Sequence, residues 1–228
     1  MELKFFQKHP LLKDLLSLTA LILITILIAQ VISKFTVKMY NVVGSSMENT
    51  LEDGDRLAVN RLAVSMAHFL GNEYVPERGQ IIVFANADEK KIAQYRADGA
   101  KDPLTCKAPS NVQEQYIIKR VIAFPGERVV VADGVLTVYN EEYPDGFQPD
   151  LDWRVDENNG PKDYTSGEID IVVPEGELFV SGDNRDNRDY NGGSHSYDSR
   201  NGLGTIPYCR VVGPVMLRFF PFNRVRTF

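Results

Sequence analysis

Few positions in this chain could begin a reaction. Two adjacent hydroxyls, Ser45 and Ser46, stand between Gly44 and Met47, and a charged turn, Glu52-Asp53-Gly54-Asp55, follows at once. A serine is inert at neutral pH unless a neighbour takes its proton, so the question is which residue could be the base. Gly-Ser-Ser before a polar turn is, without such a partner, an ordinary loop. The three histidines offer little: His9 precedes the apolar run, His68 falls in an expected turn before Gly71, and His195 lies in a glycine-rich loop. None has a nucleophile motif around it, and Gly-x-Ser-x-Gly is absent. No His-Glu-x-x-His cluster suggests a metal hydrolase, and Cys106 and Cys209 are too far apart to form a zinc-binding pair, so no metal and no cofactor are expected.

A lysine is the remaining base. In water its pKa is near 10.4, leaving roughly one in a few thousand neutral at pH 7, but burial in apolar surroundings can lower that value by as much as ~3–5 units. Lys119, between Ile117 and Val121 in Tyr116-Ile117-Ile118-Lys119-Arg120-Val121-Ile122-Ala123-Phe124, is the one lysine placed for this. On a strand, Ile117, Lys119, Val121 and Ala123 share one face, and Ile118, Arg120, Ile122 and Phe124 the other. Both faces are apolar, which predicts a strand buried on two sides with one basic residue on each. Arg120 cannot serve, because a guanidinium stays protonated. The competing reading has Lys119 snorkelling at a strand edge or pairing with a buried carboxylate.

The elements that must position these residues are mostly strands. Residues 55–64 and Gln80-Ile81-Ile82-Val83-Phe84-Ala85 read as buried strands, as do 169–173, 178–180 and 211–220. Val129-Val130-Val131-Ala132 and Val135-Leu136-Thr137-Val138, joined by Asp133-Gly134, predict a hairpin with a two-residue turn. Residues 86–114 and 140–167 are polar, turn-rich excursions. The fold class expected is mainly β, one compact domain over 34–228 with two insertions. Ahead of it, residues 15–32 carry no charge and are mostly Leu, Ile, Ala and Val, enough for a helix to cross a membrane. The sequence near Ser33 is a poor cleavage site. The expected organisation is a short cytoplasmic N-terminus over 1–14, an uncleaved anchor over 15–33 and an extracytoplasmic catalytic domain, although the flanking lysines give only a small orienting bias.

The bulk properties narrow the function classes. The chain has 228 residues, 43% of them hydrophobic, and a formal net charge of −6. Disorder is excluded by that apolar content, and the absence of a basic block argues against nucleic acid. Cys106 and Cys209 could form the only possible disulfide or remain two buried thiols.

Taken together, the segments resemble the type I signal peptidases, membrane-bound Ser-Lys proteases that remove signal peptides from exported proteins. The family's Gly-x-Ser-Met-x-Pro-Thr-Leu falls on 44–51 and assigns the nucleophile to Ser46. Gly54-Asp55-Arg56 through Val59-Asn60-Arg61 is similar to the next segment, and 79–84 to a strand that pairs with substrate. Lys119-Arg120-Val121-Ile122 with Pro125-Gly126-Glu127 resembles the segment of the general base, and Gly182-Asp183-Asn184-Arg185-Asp186-Asn187 the last one. The resemblance implies that Ser46 and Lys119 form a dyad and that the Ser46 N–H holds the oxyanion, with Ser45 a lesser candidate for a second donor. It implies Ser196 as the hydroxyl orienting the lysine, and Asp183, Arg185, Asp198 and Arg200 as support. Met47, Ile81, Ile82, Val83, Phe84 and Ile117 are implied to contact substrate. The substrates implied are signal-peptide-bearing preproteins cut after small residues, in a setting of membrane lipid, by an enzyme that acts as a monomer.

Two departures from the family pattern stand out. Asn49 replaces the usual proline, which removes a fixed φ from the turn. Residues 188–195 interrupt the last segment, and Asn187-x-Asp189-x-Asn191-Gly192 with Asp198 beyond it mimics a calcium loop, but it lacks the leading Asp and the final Glu, so a solvated turn is expected. These departures keep two rivals in view: a dedicated maturation peptidase with the same dyad, and an inactive membrane-tethered β domain that binds exported proteins.

Overall fold

Strand β3 (Ile81–Asn86) shows how alternation builds the core. Ile81 and Val83 enter one apolar cluster, with Val42, Met47, Leu51, Leu57, Val59 and Val215. Ile82 and Phe84 enter the opposite one, with Val121, Leu178, Val180 and Ile206. In this computed structural model the described residues are 10–48, 50–86, 115–149, 155–156, 160–161, 164–185 and 198–228.

Besides β3, the main sheet is made of β1 (Val37–Asn41), β2 (Arg56–Asn60), β4 (Gln115–Ala123), β10 (Glu177–Ser181), β11 (Ile206–Pro207) and β12 (Val211–Phe220). Their order is β1-β2-β12-β3-β4-β10-β11, with β13 (Arg226–Thr227) also on β12. A second sheet sets β5 (Arg128–Ala132) between β6 (Val135–Tyr139) and β9 (Ile169–Val172), and β7 (Val155–Asp156) pairs with β8 (Gly160–Pro161). Every pairing among these strands is antiparallel. The β5–β6 turn has Asp133 at φ 51° and Gly134 at φ 83°, the left-handed pair that the Asp-Gly sequence predicts. A third apolar cluster, including Ile122, Val129, Leu136 and Phe179, joins this sheet to β4 and β10.

Several sequence expectations need correction. The strand expected over 55–64 stops at Asn60, and Leu62–Phe69 forms a helix, α2. Its sequence, Leu-Ala-Val-Ser-Met-Ala-His-Phe, has good helix formers and no Gly or Pro, and Val64 is its buried contact. His68 therefore lies in the last turn of a helix instead of a loop. Cys106, His9, His195 and most of the 86–114 excursion lie outside the described residues, while Cys209 is disulfide-bonded.

Ahead of β1 runs α1 (Pro10–Thr36), a helix of 27 residues. Within it, side chains are described at Leu11, at 14–30 and at Thr36, and counted over these, no helix is long and apolar enough to cross a membrane. The apolar side chains between Leu15 and Ile28 are exposed on all sides, from 48% at Ile26 to 65% at Leu23.

Candidate active site

The turn that carries Ser46 is pinned to the core from below. Met47 (1% exposed) and Leu51 (fully buried) insert into the apolar cluster beneath it. The backbone then folds on itself: the Glu48 N–H donates to Ser45 O at 3.0 Å and the Leu51 N–H to Met47 O at 2.8 Å. Gly44, at φ 92°, starts the turn in the left-handed region, and its N–H donates to Asp53 Oδ1 at 2.8 Å. Met47 is thus a core residue, and its assignment to substrate contact is corrected by its burial.

Strand β4 brings the lysine. Six consecutive β3 partners, from Ile81↔Arg120 to Asn86↔Gln115, fix its register. Lys119 is 3% exposed, and its Nζ lies 2.5 Å from Ser46 Oγ. Burial lowers its pKa from 10.5 to about 8; Asp198 and Asp183 push it back up, and Arg200 pushes it down. The influence of Asp198 is tempered because that carboxylate is already shared. It accepts from Arg200 Nη2 at 2.8 Å, from the Arg200 N–H at 3.0 Å and from the Gly182 N–H at 2.9 Å. Asp198 and Arg200 are both buried, and Arg200 Nη1 also donates to Ser166 O at 3.0 Å.

Arg120 points to the other side of the strand and ties the turn to the lysine. Its Nε and Nη2 donate to Asp183 at 2.8 and 2.6 Å, and its Nη1 donates to Gly79 O at 2.6 Å. Asp183 also accepts from the Thr50 hydroxyl at 2.6 Å. Burial alone would raise the Asp183 carboxyl, but the hydrogen bonds and charge of Arg120, the Thr50 hydroxyl and the Arg185 charge hold it below its ordinary value. Arg185, 1% exposed, donates from Nε to Gly182 O.

The structure therefore brings half-buried Ser45 and Ser46 together with the buried Lys119, Asp183, Arg185, Asp198 and Arg200. Ser196, Asn49 and the calcium-like stretch up to residue 197 lie outside the described residues. Among the described residues, no group of three or more His, Cys, Asp or Glu side chains could hold a metal. The strand expected to pair with substrate is not available for it. Residues 82–84 are hydrogen-bonded to β4 on one side and β12 on the other, and Ile81, Ile82, Val83 and Phe84 are at most 2% exposed. Their inward packing follows from the continuous apolar run, which marks an interior strand. The free edge lies on β4: β10 pairs only with Arg120, Val121 and Ala123, so 115–119 has no strand on that side among the described residues. Ile117 and Ile118 there are half-buried, and the Tyr116 ring stands 5.2 Å from that of Tyr40 on edge strand β1.

Two contributions were not visible in the sequence. Asn184 holds the nucleophile turn from above: its N–H donates to Ser46 O at 3.1 Å and its Nδ2 to Ser45 O at 3.1 Å. Arg218, on β12, donates to Thr50 O at 2.9 Å and to the fully buried Asp55 at 3.1 Å, and Arg224 adds a second bond to Asp55 at 2.9 Å. Nothing in the spacing of these residues links them to Ser46.

Comparison with known proteins accords with this arrangement. A model of the family described as signal peptidase, peptidase S26, matches residues 15–220. Signal peptidase I T of Bacillus subtilis is 34% identical over 206 residues, 90% of this chain and 85% of that protein. Signal peptidase I of Bacillus licheniformis is 32% identical over 206 residues, with 90% and 88% covered. Signal peptidase IB of Staphylococcus aureus is 28% identical over 225 residues, with 94% of each covered. A crystal structure of a signal peptidase I from Enterococcus faecalis is 24% identical and covers 61% of this chain and 96% of its own, with a TM-score of 0.34. With Ser46, Lys119 and their neighbours all inside the matched region, the chain belongs to the signal peptidase family, peptidase S26, and is a serine peptidase of that family.

Proposed function

We propose that this chain is a membrane-anchored endopeptidase that removes signal peptides from exported preproteins, with Ser46 as nucleophile and Lys119 as general base. The observation that carries the reading is the 2.5 Å contact between Lys119 Nζ and Ser46 Oγ, made by a lysine whose pKa is lowered to about 8. At pH 7 such a lysine is neutral in roughly one molecule in ten, against one in a few thousand for an exposed one. Neutral Lys119 takes the proton of Ser46 as the oxygen attacks the carbonyl carbon of the scissile peptide. The charge that develops on the carbonyl oxygen is met by the Ser46 N–H, a contact typically worth ~3–4 kcal/mol in the transition state. The ammonium of Lys119 then protonates the leaving amine as the C–N bond breaks, and water, deprotonated by the same lysine, hydrolyses the acyl ester and restores the serine.

The substrate strand takes the free edge of β4 over 115–118, the described edge that leads directly to Lys119. Main-chain pairing there supplies affinity, and side chains beside Ile117 and Ile118 restrict what fits. The anchor is α1. Its 27 residues give a length of about 40 Å against a hydrocarbon core of about 30 Å. The Thr19 and Thr25 hydroxyls donate to the carbonyls of Leu15 and Leu21, four residues back, which removes two unpaired donors from the lipid. The domain after the anchor lies on the extracytoplasmic side, where signal peptides emerge.

The test is cleavage of a precursor with a small-x-small site by the purified full chain and by its Ser46→Ala and Lys119→Met variants. Cleavage by wild type alone is expected. A wild type that does not cleave removes the peptidase reading and leaves the binding domain; undiminished cleavage by either variant removes the dyad.

A further inference from the structure

Asn184 bonds two consecutive backbone carbonyls of the nucleophile turn, those of Ser45 and Ser46. Its main-chain N–H donates to Ser46 O at 3.1 Å, and its side-chain Nδ2 donates to Ser45 O at 3.1 Å and to Glu48 Oε2 at 3.2 Å. Ser45 O receives a second donor, the Glu48 N–H, at 3.0 Å. A trans peptide is planar, with its C=O and N–H pointing in opposite directions. Whatever fixes the direction of Ser45 C=O therefore fixes the direction of Ser46 N–H. That N–H has no acceptor among the described residues.

We propose that Asn184 is a positioning residue for the oxyanion site: by pulling Ser45 C=O toward itself it aims the Ser46 N–H away, at the place where negative charge develops. The inference rests on the peptidase reading above and deepens it. The two bonds of Asn184 divide the labour. The main-chain bond docks the nucleophile turn on the 182–185 segment whichever residue stands at 184, because it uses no side chain. The side-chain bond sets the tilt of one peptide plane. A substitution at 184 should therefore leave the turn in place and loosen only the aim of its N–H. The neighbouring charges do not duplicate this function: Asp183 is occupied by Arg120 and Thr50, and Arg185 donates to Gly182 O. Because an oxyanion donor acts in the transition state and hardly at all on the bound substrate, its misalignment is read in kcat and spares KM.

The test uses the full chain in detergent micelles with a small-x-small precursor, comparing wild type, Asn184→Ala and Asn184→Asp. The aspartate has the same shape but presents an acceptor to Ser45 O, so it remains informative if the alanine variant fails to fold. Removing an oxyanion donor costs ~100- to 1,000-fold, and misaiming one is expected to lower kcat by about 10- to 100-fold. KM should stay within about twofold of wild type, and in Asn184→Ala, which adds no charge, the pH midpoint of kcat/KM should not move, since Lys119 is untouched. A peptide boronate, whose tetrahedral adduct on Ser46 places an oxygen in the oxyanion site, should bind more weakly by the same factor as kcat falls. A signal-peptide fragment ending in a C-terminal amide, which carries no such charge, should bind unchanged. Three results overturn the inference: kcat within threefold of wild type in both variants, a loss confined to KM, or a displaced pH midpoint in Asn184→Ala. If wild type itself does not cleave, the peptidase reading has failed; if wild type cleaves and the 184 variants match it, the failure belongs to Asn184 alone.

Discussion

Replacing Lys119 with methionine should make the folded chain more stable near neutral pH even as it removes the proposed base. A lysine lowered from 10.5 to about 8 is a group whose charged form the fold disfavours. At about 1.4 kcal/mol for each tenfold change in proton affinity, the fold gives up about 3 kcal/mol wherever that lysine is protonated in the folded and unfolded chain alike. Below about pH 8 both states hold the proton and the cost is constant. Between about 8 and 10.5 the folded state releases it while the unfolded state keeps it, so stability rises with pH, by up to about 1.4 kcal/mol per pH unit. Above 10.5 both states are neutral and the cost is gone. Methionine has a similar length and no charge, so it avoids the cost at every pH, but it leaves Ser46 Oγ without its partner, a loss of about 1 kcal/mol. The net gain at pH 6.5 is about 2 kcal/mol, or roughly 4–8 °C in Tm for a domain of this size. Urea denaturation of both proteins in micelles at pH 6.5, 8, 9 and 10.5 measures it. The variant should lead at pH 6.5 and fall behind by pH 10.5. A variant that is destabilised at pH 6.5, or a gap that does not change with pH, would refute the argument that burial sets the state of Lys119.

Further expectations follow from the same contacts. Cleavage should rise with pH through a midpoint at about 8, the value to which burial lowers Lys119, and a kcat/KM profile between pH 6 and 9.5 measures it. Asp183→Asn should cost roughly 3–5 kcal/mol, because the buried Arg120 guanidinium loses its counter-ion. Chemical denaturation should show that loss together with reduced cleavage, since the same carboxylate holds Thr50 in the nucleophile turn. Arg218→Met should lower thermal stability by about 2–4 kcal/mol, because it leaves the fully buried Asp55 carboxylate with one fewer donor and frees Thr50 O. Gly134→Ala should destabilise by at least 1 kcal/mol, as its Cβ would meet the Tyr164 ring at φ 83°.

The parts that could be read from sequence were those governed by one local rule. The Asp133-Gly134 hairpin obeys turn chemistry, and 211–220 obeys strand patterning, so both stand where they were expected. The two basic residues of β4 posed a sharper question, one on each apolar face, and the structure answers both: Lys119 meets Ser46, and Arg120 meets Asp183. The errors came where tertiary context decides. Residues 62–69 alternate well enough to pass for strand, but continue past the end of β2 and coil against β12. Met47 sits next to the nucleophile in sequence and therefore looked like a substrate contact, although the turn points it into the core. The apolar run at 81–84 suits an edge that greets substrate as well as an interior strand, and only the pairing partners distinguish them. Asn184 and Arg218 were illegible because they act on backbone atoms more than a hundred residues away, and no spacing rule reaches that far.

The pairing of Arg120 with Asp183 has a further consequence for how the chain finds its fold. A strand with one apolar and one polar face is held in register by hydrophobicity, since a slip of one residue would turn its greasy side to water. β4 has apolar residues on both faces, so that safeguard is missing: a one-residue slip against β3 would bury about as much surface as the native pairing. It would also bring a guanidinium to Ser46 in place of an amine that can lose its proton, yielding a well-packed protein with no base. The two-pronged bond from Arg120 to Asp183, together with its reach to Gly79 O, distinguishes the native alignment from the slipped one. Lysine at 120 could not form the same fork, so the exchange of the two neighbours would fail on both faces at once. The ion pair beside the reacting groups thus works as a key against misthreading, choosing which of two adjacent cations arrives at the serine.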